Sequence, residues 1–169
     1  MTTSTELLER AYAAAAQVVD PEMPMLTLAD LGVLRGVEVD EAGLVIVSIT
    51  PTYSGCPAMA SMRDDLVRTL ADEGLAATIR VVLSPAWSSD DITSAGRAAL
   101  SAHGLSAPGP ATRHTGPTPL NLGPVRRSLT CPQCGSDAAE PTSEFGPTAC
   151  TALYRCGDCG EPFEHVKEI

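Results

Sequence analysis

The first apolar stretch repeats at helical spacing. Leu7, Leu8 and Tyr12 stand with the Ala11–Ala16 run, and Thr3 with Glu6 makes a capping box ahead of them. That pattern predicts a helix, which Asp20-Pro21 should end. Beyond a proline-rich turn, Val33–Val39 and Leu44–Ile49 are β-rich runs separated by Asp40-Glu-Ala-Gly43, the pattern of a hairpin. Pro57 suits a first helical turn, and Met59, Met62, Leu66 and Leu70 recur at helical spacing until Gly74. Ala77–Leu83 reads as a third strand, and Thr93–His103 as a short helix closed by Gly104. The predicted order is α-β-β-α-β-α. It makes an α+β domain with a small three-stranded mixed sheet, covered on one face by helices.

The periodicity then breaks. Between about 104 and 127 the chain carries five prolines, at 108, 110, 117, 119 and 124. These remove backbone donors and favour extended structure, so the stretch reads as a linker. Three segments are therefore expected: a body over 1–105, a Pro/Gly-rich linker over 106–127 and a tail over 128–169. Acids outnumber Lys and Arg by 21 to 11, a net charge of −10, which argues against a nucleic-acid binder. Residues 1–105 hold 14 of those acids and six of the bases. No apolar run approaches the ~18–20 residues that span a bilayer, and the N-terminus lacks the features of a secretory signal. The chain reads as soluble and cytoplasmic, with no membrane partner.

Cysteine changes the picture of the tail. Five of the six cysteines follow residue 130, and in a reducing compartment such clustering points to metal. Cys131-Pro-Gln-Cys134-Gly and Cys156-Gly-Asp-Cys159-Gly are two Cys-x-x-Cys knuckles, each closed by glycine. Four thiolates in tetrahedral array suit structural zinc and leave no open position for chemistry. A single iron or a cluster is the competing occupant. So short a tail has too little core to fold without metal, and a β-rich zinc ribbon is expected. Cys150 reads as a buried thiol outside the site, and His165 as a surface residue of a strand.

In the body, Cys56 stands alone in Pro51-Thr-Tyr-Ser-Gly-Cys56-Pro-Ala. It falls near a helix N-terminus, where amides and the helix dipole favour a thiolate. A sulfur nucleophile, a soft-metal ligand and an inert capping thiol all fit that position. Asp20 and Glu22 could approach it if the first helix packs over the sheet, though helix-end acids are the plainer reading. Asp30 is another turn acid, and Trp87, Asp90 and Asp91 follow the third strand. There is no phosphate-binding Gly-rich loop, dinucleotide fingerprint or Gly-x-Ser-x-Gly elbow. With only three histidines in the chain, a His-based triad is not indicated. These residues alone assemble no complete active site.

Asp20-Pro-Glu-Met-Pro24, Leu28-Ala-Asp-Leu-Gly-Val33 and Pro51-Thr-Tyr-Ser-Gly-Cys-Pro-Ala58 resemble the iron–sulfur cluster assembly (FSCA) domain family. With Leu83-Ser-Pro-Ala-Trp-Ser-Ser-Asp90, Ser143-Glu-Phe-Gly-Pro-Thr-Ala-Cys150 and the four-cysteine tail, the chain resembles the PaaD (PaaJ) family. These are accessory components of the phenylacetyl-CoA 1,2-epoxidase system. Ala86 and Asp91 depart from the pattern, where proline and tryptophan are expected. The resemblance implies an accessory role in aerobic phenylacetate catabolism, helping to mature an iron or iron–sulfur centre. The oxygenase and reductase subunits of that system would be the partners. It makes Cys56 the leading candidate for transiently held iron or a cluster, with Asp20 and Glu22 behind it. A structural subunit without metal transfer, and an independent enzyme using the Cys56 thiolate, are the competing readings.

Overall fold

A computed structural model describes residues 4–53, 55–111 and 129–168. Thr3 and most of the expected linker, residues 112–127, lie outside them. The chain divides into two compact units, Met1–Ala99 and Leu100–Glu168.

In the first unit, α1 covers Ser4–Ala15 and turns Ala11, Ala14 and Ala15 inward. It stops well short of Asp20. The β-branched pair Val18-Val19 leaves the helix, because its backbone finds extended partners instead. Val19 bridges Thr27, the Leu28 amide donates to Val18 O at 2.8 Å, and the Asp20 amide donates to Leu26 O at 2.9 Å. Strands β1 (Leu34–Val39) and β2 (Val45–Ile49) form the expected antiparallel hairpin. Helix α2 covers Ala58–Asp72 and buries Ala58, Met62, Leu66 and Leu70, matching the spacing in the sequence. Pro57 caps this helix, one position before its first turn. Gly74, at φ +74°, reverses the chain into β3 (Ala77–Val81), which pairs parallel with β2. The sheet order is β1-β2-β3, mixed as expected. Val45, Val47 and Ile49 are fully buried on its core face.

The loop after β3 docks on the turn before β1. Trp87 is buried, and its indole N–H donates to Leu31 O at 2.9 Å. Asp91, where the family pattern expects tryptophan, accepts from the Ser88 amide and pairs with Arg35 at 2.9 Å. Gly32, at φ +73°, lies so close that a Cβ would meet Asp91 O at 2.5 Å. Asp30 accepts from the hydroxyls of Thr27 and Thr93, fastening this turn to the start of α3 (Ser94–Ala102).

The second unit is a four-stranded sheet in the order β4-β7-β6-β5, with β5 Ala139–Ser143, β6 Thr151–Cys156 and β7 Pro162–Val166 mutually antiparallel. The sequence pattern did not predict β4, Leu105–Ser106, which pairs parallel with β7. Because of that pairing, the second unit begins ahead of residue 105. His165 is fully buried, against expectation. Its imidazole lies 3.3 Å from the Ser106 hydroxyl and 3.5 Å from the Glu168 carboxylate, with its ring edge-on to Tyr154.

Candidate metal centre and the Cys56 turn

The knuckles bring four cysteines together. Tight turns set the Gly135 amide on Cys131 O and the Gly160 amide on Cys156 O, both at 2.9 Å. Gly135 and Gly160 hold φ of +74° and +78°, a conformation that only glycine adopts without strain. The Ser136 hydroxyl donates to the Asp158 carboxylate and ties one knuckle to the other. The sulfurs of Cys131, Cys134, Cys156 and Cys159 lie within 4.8 Å of one another, and no other group of three or more ligands gathers among the described residues.

Two of the separations are 3.8 Å (Cys131 to Cys159) and 3.6 Å (Cys134 to Cys156). Tetrahedral ligands about 2.3 Å from one ion stand about 3.8 Å apart, whereas a disulfide needs about 2.05 Å. The spacing fits a metal and no cystine. Cys131 and Cys156 are buried, and Cys134 and Cys159 are exposed.

Charge makes the same point. The Cys159 amide, pointing at the sulfur of Cys156, draws that thiol down to about 6. Cys134 receives the Ser136 amide, yet its contacts with the Cys159, Cys156 and Cys131 thiols push it up to about 12. Four neighbouring sulfurs cannot all ionise unaided, and a cation is what permits it. Cys150 is buried and within 3.1 Å of the Thr148 hydroxyl, outside this set.

Cys56 sits where the chain leaves the sheet and enters α2. Its amide donates to Tyr53 O at 3.3 Å, and its sulfur receives the Ala58 amide and a side-chain hydrogen bond with Thr52. It is nine per cent exposed. Asp20 and Glu22 are near enough to act on it by charge. The thiol is pushed up, first by burial, then by the Glu22 and Asp20 carboxylates, and the Ala58 amide only partly offsets this. A place at a helix start accounts for the helpful amide, but the burial outweighs it and reverses the expected direction. Asp20 itself is three per cent exposed, and burial raises its carboxyl despite the Glu22 and Met23 amides at 2.7 and 2.9 Å. Cys56, Asp20 and Glu22 do not form a ligand cluster of the kind the four tail cysteines make.

Residues 8–81 match the family model described as iron–sulfur cluster assembly protein, and residues 115–167 match that of the PaaD zinc beta ribbon domain. The chain is 41% identical over 160 residues to a component of the 1,2-phenylacetyl-CoA epoxidase of Escherichia coli (strain K12). That match spans 94% of this chain and 91% of the relative. The chain belongs to the PaaD family. Over 96 residues it is also 33% identical to the Fe-S protein maturation auxiliary factor YitW of Bacillus subtilis (strain 168), covering 56% of this chain and 93% of that protein. A crystal structure of a domain of unknown function, DUF59, from Bacillus anthracis superposes with a TM-score of 0.53 at 25% identity, over 57% of this chain and 93% of that one. The PaaD-family chain thus joins an assembly-type α+β unit to a β ribbon carrying the cysteine cluster. Among the described residues, no helix is long and apolar enough to cross a membrane.

Proposed function

We propose that this chain is an accessory subunit of a phenylacetyl-CoA epoxidase system in the cytoplasm, where it helps load an iron or iron–sulfur centre into an oxygenase or reductase partner. The observation that carries this reading is the setting of Cys56 within the assembly-type unit. One largely buried sulfur lies at the end of a sheet, next to two carboxylates.

Such a setting suits cargo held briefly. Burial and the two carboxylates keep the resting thiol protonated, so it binds little until a cation arrives. A ferrous ion or cluster edge, as substrate, compensates the charge of Asp20 and Glu22 and displaces the thiol proton. One sulfur and two carboxylates make a weak site, and weakness allows release to a client with more ligands. The same setting argues against a free nucleophile, which needs a depressed pKa or an adjacent base.

The ribbon has a different task in this proposal. Cys131, Cys134, Cys156 and Cys159 hold a structural zinc, whose binding supplies the folding energy that a small sheet lacks. The domain plan follows: residues 1–105 handle cargo, 106–127 connect, and 128–169 present a rigid ribbon to the partner.

The test is a strain lacking its own copy of this gene, complemented with wild type, Cys56→Ser or Cys56→Ala, and grown on phenylacetate. Growth should fail with both variants, and the partner subunits should purify with reduced iron. Normal growth with fully loaded partners would leave the chain a structural subunit of the complex.

A further inference from the structure

The outer edge of the three-stranded sheet is open, and its chemistry is self-complementary. β3 is an edge strand with no proline in it. Ala76 O accepts from Val45 N and Val82 N donates to Ile49 O, so the even-numbered residues direct their backbone groups to β2. By the alternation of a strand, Ala77, Ile79 and Val81 direct theirs outward. Arg80 does not guard this edge. Its guanidinium lies back over the sheet, bonded to Ser48 at 2.9 Å and Glu38 at 3.2 Å. Beside β3 runs a groove of about 380 Å³, lined by Ala60, Arg63, Asp64 and Val67 of α2 and by Ala77 to Ile79. Val67 and Val81 are 43% and 42% exposed.

We propose that a second copy of this chain docks here, β3 against β3 in antiparallel register about a two-fold axis at Ile79. In that register Ile79 exchanges both backbone hydrogen bonds with its symmetry mate, and Ala77 does so with Val81. Each of these is an outward-facing residue. On the core face apolar meets apolar, and on the opposite face Thr78 meets Arg80. The groove carries one base and one acid side by side, so the axis sets Arg63 of each copy toward Asp64 of the other. An open edge is otherwise a liability that folded proteins cover or charge, and self-pairing covers it. Cys56 lies at the end of the sheet where β2 and β3 finish. The antiparallel axis therefore places the two Cys56 sulfurs at opposite ends of a six-stranded sheet, and each copy works its own site.

Sedimentation of the full-length, metal-replete protein tests this over a range of concentrations. Wild type should show a monomer–dimer equilibrium. Arg63→Glu and Asp64→Arg should each raise the dimer dissociation constant about tenfold, with two symmetric ion pairs turned repulsive. The double swap, Arg63→Glu with Asp64→Arg, should restore it. Ile79→Pro removes an outward amide without costing a bond to β2, and should abolish the dimer while circular dichroism stays native. The proposal fails if wild type is monomeric throughout, if a dimer survives Arg63→Glu and Ile79→Pro, or if the double swap does not rescue.

Discussion

Asp20 shows how one side chain can serve a turn and a site at once. Its Oδ1 accepts two amides and fixes the Asp-Pro-Glu-Met turn, a job an asparagine oxygen does equally well. Ionising it inside the protein is costly, since burial raises its pKa above the ordinary 3.8. For an acid with a raised folded pKa, the folded state is favoured where the group is protonated. That advantage is lost as pH rises from the unfolded to the folded value. Asp20→Asn should therefore stabilise the protein at pH 7, by about 1 kcal/mol, and the gain should vanish below pH ~4. Thermal unfolding of both proteins across that range checks it. A stabilised variant that no longer supports growth on phenylacetate would mark the carboxylate as kept for its charge. Cys56 allows a parallel measurement. With Zn-loaded, iron-free protein, alkylation should titrate above the ~8.5 of an ordinary thiol, and Glu22→Gln should make the reaction faster at pH 8. A rate indifferent to Glu22 would sink the electrostatic account.

At the scale of elements, side-chain periodicity carried the reading far. The β1–β2 hairpin, the buried face of α2 and the two knuckles follow from spacing, turn residues and glycine placement. What escaped was decided by partners distant in sequence. The end of α1 depends on Leu26 and Leu28 accepting and donating to the chain at 18–20, which no local propensity reports. β4 is two residues long and exists because β7 offers it an edge. The burial of His165 was within reach, because Phe163 two positions earlier already faces the core and a strand repeats every second residue. The Trp87 loop is fastened by similarly distant contacts. Trp87→Phe keeps the packing but orphans the buried Leu31 carbonyl, and should cost about 1–2 kcal/mol in denaturant unfolding. Gly32→Ala should cost more, as its Cβ would collide with the Asp91 backbone at a backbone angle alanine resists.

Across the whole molecule, two kinds of core coexist. The first unit buries a run of large aliphatic side chains, among them Leu26, Leu28, Leu31, Leu66 and Leu70, and needs nothing further to hold its sheet. The second buries a cluster of Leu129, Ala152, Tyr154 and Phe163, and two more members of that cluster, Cys131 and Cys156, belong to the four-cysteine set. Removing the metal leaves those two sulfurs inside an apolar cluster, with the charge cost that drives Cys134 and Cys156 to opposite extremes. Structural zinc contributes on the order of 10 kcal/mol to such small folds, comparable with the whole stability of a domain. Chelation should accordingly erase hydrogen-exchange protection in β5, β6 and β7 while the amides of α2 and β2 keep theirs. Protection should return on adding one equivalent of zinc. Cys131→Ser and Cys156→Ser should behave like the chelated protein even with zinc in excess, whereas Cys150→Ser, outside the cluster, should retain the metal. Ribbon strands still protected after complete chelation would show that the sheet stands on its apolar cluster alone.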